Sequence, residues 1–135
     1  MIGFLIVSHG DLGGSLIHCA SHVMGGPPPL LKQLGVTVHD DPLAVLPKAQ
    51  EMVQELLLNG SDGVLVFSDI FGATPCNIAS KLMEPGKVEI LSGVNLPMLV
   101  RALAYRQESL AIVLEKASMG ATAGIVHLSR ETCGS

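Results

Sequence analysis

The run Val64-Leu65-Val66-Phe67 constrains this chain more than any other stretch. It is continuously apolar and bounded by Asp62-Gly63 and Ser68-Asp69, the pattern of a central parallel strand covered by helices on both faces. A second apolar run of strand character, Phe4-Leu5-Ile6-Val7, ends abruptly in Ser8-His9-Gly10-Asp11. A strand that delivers a titratable side chain at its carboxyl end, just before a helix, places that group where open α/β sheets bind ligands.

The rest of the chain alternates in kind. A strand over residues 2–7 precedes a helix over 12–23, with Asp11 placed to cap or charge-match its start, and Gly25-Gly26-Pro27-Pro28-Pro29 ends it. Residues 30–34 fit neither period, whereas Val36, Val38 and the alternation to His39 read as a short second strand. Asp40-Asp41-Pro42 opens a helix over 43–58 that Asn59-Gly60 stops. After the third strand, over 64–67, Thr74-Pro75 signals a helix to residue 83, with the hydroxyl as N-cap and the proline at the first helical position. Residues 87–91 read as a fourth strand, Asn95 as the cap of a helix over 96–105, and 108–119 as a further helix. Residues 124–128 are β-prone with no helix of their own after them, which fits an edge strand, antiparallel or paired with another subunit. The expected fold is α/β: an open, mainly parallel four-stranded sheet with helices on both faces and right-handed crossovers.

A chain of 135 residues fits one domain, 1–135, near the commonest domain size. Its formal charge of −4 gives no electrostatic footprint for nucleic acid or an anionic membrane. Hydrophobic residues make up 48% of the chain, yet no apolar run approaches the roughly 20 residues that span a bilayer. Met1 leads directly into the first strand with nothing resembling a signal peptide, so a cytoplasmic location is expected. Cys19, Cys76 and Cys133 are odd in number and unpaired in spacing, which argues against a disulfide framework and a zinc site; Cys133 is expected as an exposed thiol in a frayed tail.

Parallel strands would gather Ser8-His9-Gly10, His39-Asp40-Asp41, Ser68-Asp69 and Ser92-Gly93-Val94-Asn95 on one edge of the sheet. Three helices begin there too, near Asp11, Thr74 and Asn95, and their free N–H groups favour an anion. His9 beside a carboxylate such as Asp69 would have one ring nitrogen held as donor and the other left as acceptor or nucleophile. By position alone His9 serves equally as a turn cap, and Asp69 as an ordinary turn residue. Gly72-Ala73-Thr74-Pro75 could cradle an anion or simply start a helix. The chain has neither G-x-x-x-x-G-K-[ST] nor G-x-G-x-x-G, which argues against an ATPase or a dinucleotide enzyme. His18 and His22 share a helical face at metal-site spacing but lack the H-E-x-x-H acid, and Ser8 has no G-x-S-x-G context for a hydrolase nucleophile.

Three separated stretches, Ile6-Val7-Ser8-His9-Gly10, Ser68 to Asn77 (SDIFGATPCN) and Leu91-Ser92-Gly93-Val94-Asn95-Leu96-Pro97-Met98-Leu99, together resemble the enzyme IIA domain of the mannose family of the bacterial phosphoenolpyruvate-dependent sugar phosphotransferase system. The resemblance runs through essentially the whole chain. It implies a phosphocarrier with a phosphohistidine intermediate: His9 accepts a phosphoryl group from the histidine-containing phosphocarrier protein and passes it to a IIB protein, which serves a IIC/IID membrane permease. It also implies that Asp69 hydrogen-bonds the other nitrogen of His9 and that Thr74 contacts the phosphoryl group. The family fold adds an antiparallel C-terminal strand exchanged between the subunits of a homodimer, which would account for residues 124–128.

No metal or cofactor is demanded by that chemistry, since phosphoryl transfer needs positioning and charge stabilisation. Partners would dock over an apolar rim for which Phe71, Leu96, Pro97 and Met98 are the candidates, and the protein would sit in the cytoplasm, peripheral to the membrane only through those partners. The sequence departs from the family pattern at Ala73, where a second glycine is common, and at Thr74, where serine is more familiar; it reaches Ser135 without an Ala/Pro-rich linker or a IIB domain. Two other roles stay open on the sequence: a stand-alone regulatory phosphohistidine protein, and a carrier for a dihydroxyacetone kinase system.

Overall fold

A computed structural model describes residues 1–133. Strands β1 (Gly3–His9), β2 (Leu31–Val36), β3 (Val64–Ser68) and β4 (Val88–Ser92) form an all-parallel sheet in the order β2-β1-β3-β4. Between and after them run α1 (Leu12–Met24), α2 (Pro42–Leu58), α3 (Thr74–Ser80), α4 (Leu96–Ala104), α5 (Leu110–Ala123) and a single turn, α6 (Arg130–Cys133).

The apolar runs divide their side chains between two cores, as the two-residue period of a strand requires. Phe4, Ile6, Leu65 and Phe67 face Leu99 and Ala102 of α4, Val113 and Ala117 of α5, and Ala20 of α1. Leu5, Val7, Val64 and Val66 face Val45, Val53 and Leu56 of α2 and Ile78 and Ala79 of α3. The Phe4 and Phe67 rings stack with centroids 5.7 Å apart at the middle of the sheet. Burying a side chain of this size stabilises the fold by about 2 kcal/mol, so β1 and β3 anchor the molecule.

Chain order reverses between these two central strands. From β1 the chain moves outward to β2 on one side, then returns to β3 on the other. Such a switch point opens a crevice beyond the carboxyl ends of the two strands, because their following loops diverge. The β1–β3 ladder stops at Val7 and Ser68, while β1 continues beside β2 as far as His9 and Val36.

The second strand differs from the sequence expectation. It occupies Leu31–Val36, the stretch that fitted neither period, and residues 37–39 lie outside it. An edge strand is only partly covered, so Lys32 and Gln33 blur its hydrophobic pattern. Val38 instead projects into solvent, and the Asp40 carboxylate accepts hydrogen bonds from the Thr37 N–H and hydroxyl, closing a turn there.

Helix starts also separate into two kinds. Asp41 and Asn95 cap through their side chains, accepting from the Leu43 and Met98 N–H groups. Asp11 holds the N-cap position of α1 without a side-chain bond, and the buried Ser8 hydroxyl accepts the Gly13 N–H in its place. Thr74 is the first helical residue of α3 rather than its cap, which is Ala73. The β-prone segment at 124–128 forms no strand within the chain: Gly124 caps α5, and Ile125, Val126 and Leu128 are exposed. Among the described residues, no helix is long and apolar enough to cross a membrane.

Candidate functional site

The switch-point crevice is where His9 and Asp69 meet. β3 leaves the sheet after Ser68, so the His9 backbone N–H has no strand carbonyl on that side. The Asp69 carboxylate takes the missing acceptor's place: its Oδ2 accepts the His9 N–H at 2.9 Å and also pairs with the His9 ring at Nδ1, 2.7 Å away. Its other oxygen, Oδ1, accepts the Ile70 N–H at 3.0 Å. One carboxylate therefore fixes the main chain of His9, the plane of its ring and the turn that follows β3.

This arrangement settles the roles of the ring nitrogens by elimination. A carboxylate can only accept, so Nδ1 carries the proton and Nε2 keeps its lone pair in the neutral imidazole. Among the described residues no group bonds Nε2, and the His9 side chain is 54% exposed whereas that of Asp69 is 10% exposed. Burial by itself would raise the Asp69 carboxyl, but the His9 N–H, the His9 ring and the local backbone N–H outweigh it and hold the group below its ordinary value.

Two neighbouring features support that pair. Gly10, immediately after His9, has φ +50°, a left-handed conformation that lets the chain turn at once, and its N–H donates to Val36 O at 2.9 Å. Its carbonyl then lies over Gly35 of β2, so close that a Cβ on Gly35 would come within 2.2 Å of Gly10 O. Beneath the 69–73 loop the Ser68 and Ser92 hydroxyls bond at 3.0 Å, and Ser68 O accepts the N–H groups of Gly93 and Val94. Cys76, buried on α3, lies beside them; its thiol is lowered chiefly by the Gly72 N–H and further by the two hydroxyls, against opposing effects of burial and the Asp69 charge.

Of the residues expected at the site, His9 and Asp69 are in contact, and Thr74 stands exposed at the start of α3 on the same edge of the sheet. Phe71 is exposed beside them, as expected of a rim residue. Met98 is a core residue instead, since the turn of α4 aims it at the sheet, and Leu96 packs against the same core while Pro97 is exposed. His18 and His22 lie on α1, where, among the described residues, no group of three His, Cys, Asp or Glu side chains converges as metal ligands would. Cys19 is exposed, and the Cys133 side chain lies outside the described residues. Sequence reasoning missed Gly35, which carries no local signal. The Ser68–Ser92 pair was visible only as two serines ending two apolar runs.

A family model described as the PTS system fructose IIA component matches residues 3–118. The phosphotransferase system component EIIA from Streptococcus agalactiae is similar in structure, with a TM-score of 0.82 and 26% identity over 94% of this chain and 97% of that one. The mannose/sorbose specific IIA subunit from Enterococcus faecalis shares the fold at a TM-score of 0.82 and 20% identity, covering 94% of each chain. The PTS IIA protein associated with the fucose utilization operon of Streptococcus pneumoniae does so at 0.82 and 23%, over 96% of this chain and 95% of its own.

Two outcomes test the geometry. Gly35→Ala forces a methyl against the Gly10 carbonyl and should cost about 1–3 kcal/mol of stability, as overpacking does. Its amide spectrum should show the His9 and Gly10 resonances displaced; unchanged resonances there would refute the steric role of Gly35. Because Asp69 in the folded protein lies below the ordinary carboxyl value of 3.8, its ionisation contributes stability that is fully present above 3.8 and lost as pH falls through the lowered value. The stability gap between wild type and Asp69→Asn, followed by urea unfolding, should therefore narrow below pH 3.8, and a gap independent of pH would contradict the assignment.

Proposed function

The chain belongs to the IIA component family of the phosphotransferase system, a phosphocarrier in sugar phosphotransfer, and on that premise we propose that His9 carries the phosphoryl group on Nε2. The observation that supports this most is the double grip of Asp69 Oδ2 on the His9 N–H and Nδ1, which leaves Nε2 open at the exposed face of the crevice.

The geometry suits an in-line displacement. The Nε2 lone pair attacks the phosphorus of a phosphohistidine donor as the donor's P–N bond breaks and its electron pair returns to the donor imidazole. Phosphorylation places positive charge on the His9 ring, which Asp69 stabilises while it keeps the Nδ1 proton. The starts of α1, α3 and α4 all lie on this edge, and their positive dipole ends favour the incoming oxygens. Thr74, exposed at the first position of α3, is the proposed hydroxyl contact to the phosphoryl group. A bound metal has no necessary part in this scheme, because the charge is met by N–H and O–H donors.

The partners follow from the same edge. The donor is proposed to be the histidine-containing phosphocarrier protein and the acceptor a IIB protein, with a IIC/IID permease engaged only through IIB. Val38, Leu43, Ile70 and Phe71, from the loops and helix starts beyond β2 and β3, are all exposed. Phe71 is 86% exposed, an unusual situation for a phenylalanine without a docking partner. The exposed segment with Ile125, Val126 and Leu128 is proposed to add an antiparallel strand to a second copy in a homodimer, each chain contributing one domain. A cytoplasmic location accords with these partners.

Incubation with phosphoenolpyruvate, enzyme I and the phosphocarrier protein should load wild type with acid-labile phosphate and leave His9→Ala unlabelled. Asp69→Asn should load at least about tenfold more slowly, since a misplaced tautomer forfeits more than 1.4 kcal/mol of transition-state stabilisation. Undiminished label on His9→Ala would exclude His9 as the carrier.

A further inference from the structure

At the opposite end of β1 from His9, a cleft of about 340 Å³ opens between the end of α1, the proline segment and the turn after α4. Its walls are Met24, Pro27, Pro28 and Leu103, and Arg106 lines it from within. The volume falls among those of small-molecule sites, about 300–1,000 Å³.

Arg106 is the unusual member of this lining. It is only 6% exposed, and its guanidinium lies 5.0 Å from the centre of the Phe4 ring. Nε and Nη2 donate to Ile2 O at 3.2 and 2.8 Å, Nη1 donates to Pro29 O at 2.6 Å, and Nη2 donates also to Leu30 O at 3.3 Å. These bonds employ four of the five guanidinium N–H groups, and the fifth, on Nη1, has no acceptor among the described residues. The acceptors are neutral carbonyls. Ion pairs among the described residues join Met1 to Asp62, His9 to Asp69 and Lys32 to Glu55, so no carboxylate balances this cation. Isolated buried charge is costly unless a counter-charge accompanies it.

We propose that this cleft is a binding site for a small monocarboxylate with a short aliphatic tail, its carboxylate on the Arg106 guanidinium and its tail against Met24, Pro28 and Leu103. One available N–H and apolar walls suit a single carboxylate better than a phosphate, whose oxygens require several donors. Burial lowers the Arg106 guanidinium from its ordinary value, and a bound anion would act in the opposite direction. Such a ligand would bridge the end of α1, the 27–30 segment and the α4–α5 turn without touching the phosphoryl edge.

The test is a methyl and amide NMR titration of the whole chain with sodium butyrate, with 1-butanol as the uncharged control. Saturable shifts of the Met24 and Leu103 methyls and of the Arg106 Nε–H with butyrate, absent with butanol, are expected. Met24→Glu sets a negative charge on an exposed part of the wall, leaves the Arg106 bonds in place and should weaken butyrate by at least about tenfold, or 1.4 kcal/mol. Failure of butyrate to saturate, equal binding of butanol, or a Met24→Glu affinity equal to wild type would each overturn the proposal. None of these outcomes depends on whether His9 is phosphorylated.

Discussion

A single carboxylate oxygen, Asp69 Oδ2, receives both the main-chain N–H and the ring Nδ1 of His9, and the geometry of the proposed phosphoryl site depends on that contact. Its origin lies in the sheet. β3 parts from β1 after Ser68, which deprives the last residue of β1 of its ladder partner, and the first side chain past β3 supplies a charged substitute. Charge-assisted bonds of this kind are roughly twice as strong as neutral ones, so the substitute is at least as firm as the carbonyl it replaces. The histidine is thereby held by the same physics that ends the strand pairing.

The two ends of β1 manage charge in contrasting ways. At the carboxyl end, a histidine ring and an aspartate carboxylate are paired in a crevice open to solvent, with helix starts on the same edge. At the amino end, Arg106 is enclosed by main-chain carbonyls and an aromatic face, with an apolar cleft alongside. The first arrangement suits a group that gains and loses a phosphoryl group through partner proteins. The second ties the start of β1 to the proline segment and to the turn between α4 and α5.

Much of this was legible in the sequence because the strongest signals were the ones the fold relies on. The apolar runs at 4–7 and 64–67 are buried on both faces, so their composition alone identifies central strands, and the residues that follow them had to share one edge once the strands were parallel. Asn95 acted as the cap its type suggests, and Asp41 did likewise. What escaped was set by tertiary contact. The edge strand at Leu31–Val36 hid behind Lys32 and Gln33, which an exposed edge tolerates. Gly35 gained its meaning only from the Gly10 carbonyl packed against it, and Ser8 replaced Asp11 as the side chain closing the first turn of α1 because its hydroxyl lies beneath that turn. The apolar residues at 124–128 are β-prone in composition but form no strand within this chain, because composition does not specify a pairing partner.

The position of the phosphorus on the His9 ring decides whether Nε2 is the atom that carries the phosphoryl group. Phosphorus and nitrogen NMR of the ¹⁵N-histidine-labelled phosphoprotein distinguishes the two ring isomers. Phosphorus coupled to Nε2 of His9 is expected, with the Nδ1 proton still hydrogen-bonded to Asp69. Phosphorus on Nδ1, or on any other residue, would contradict it.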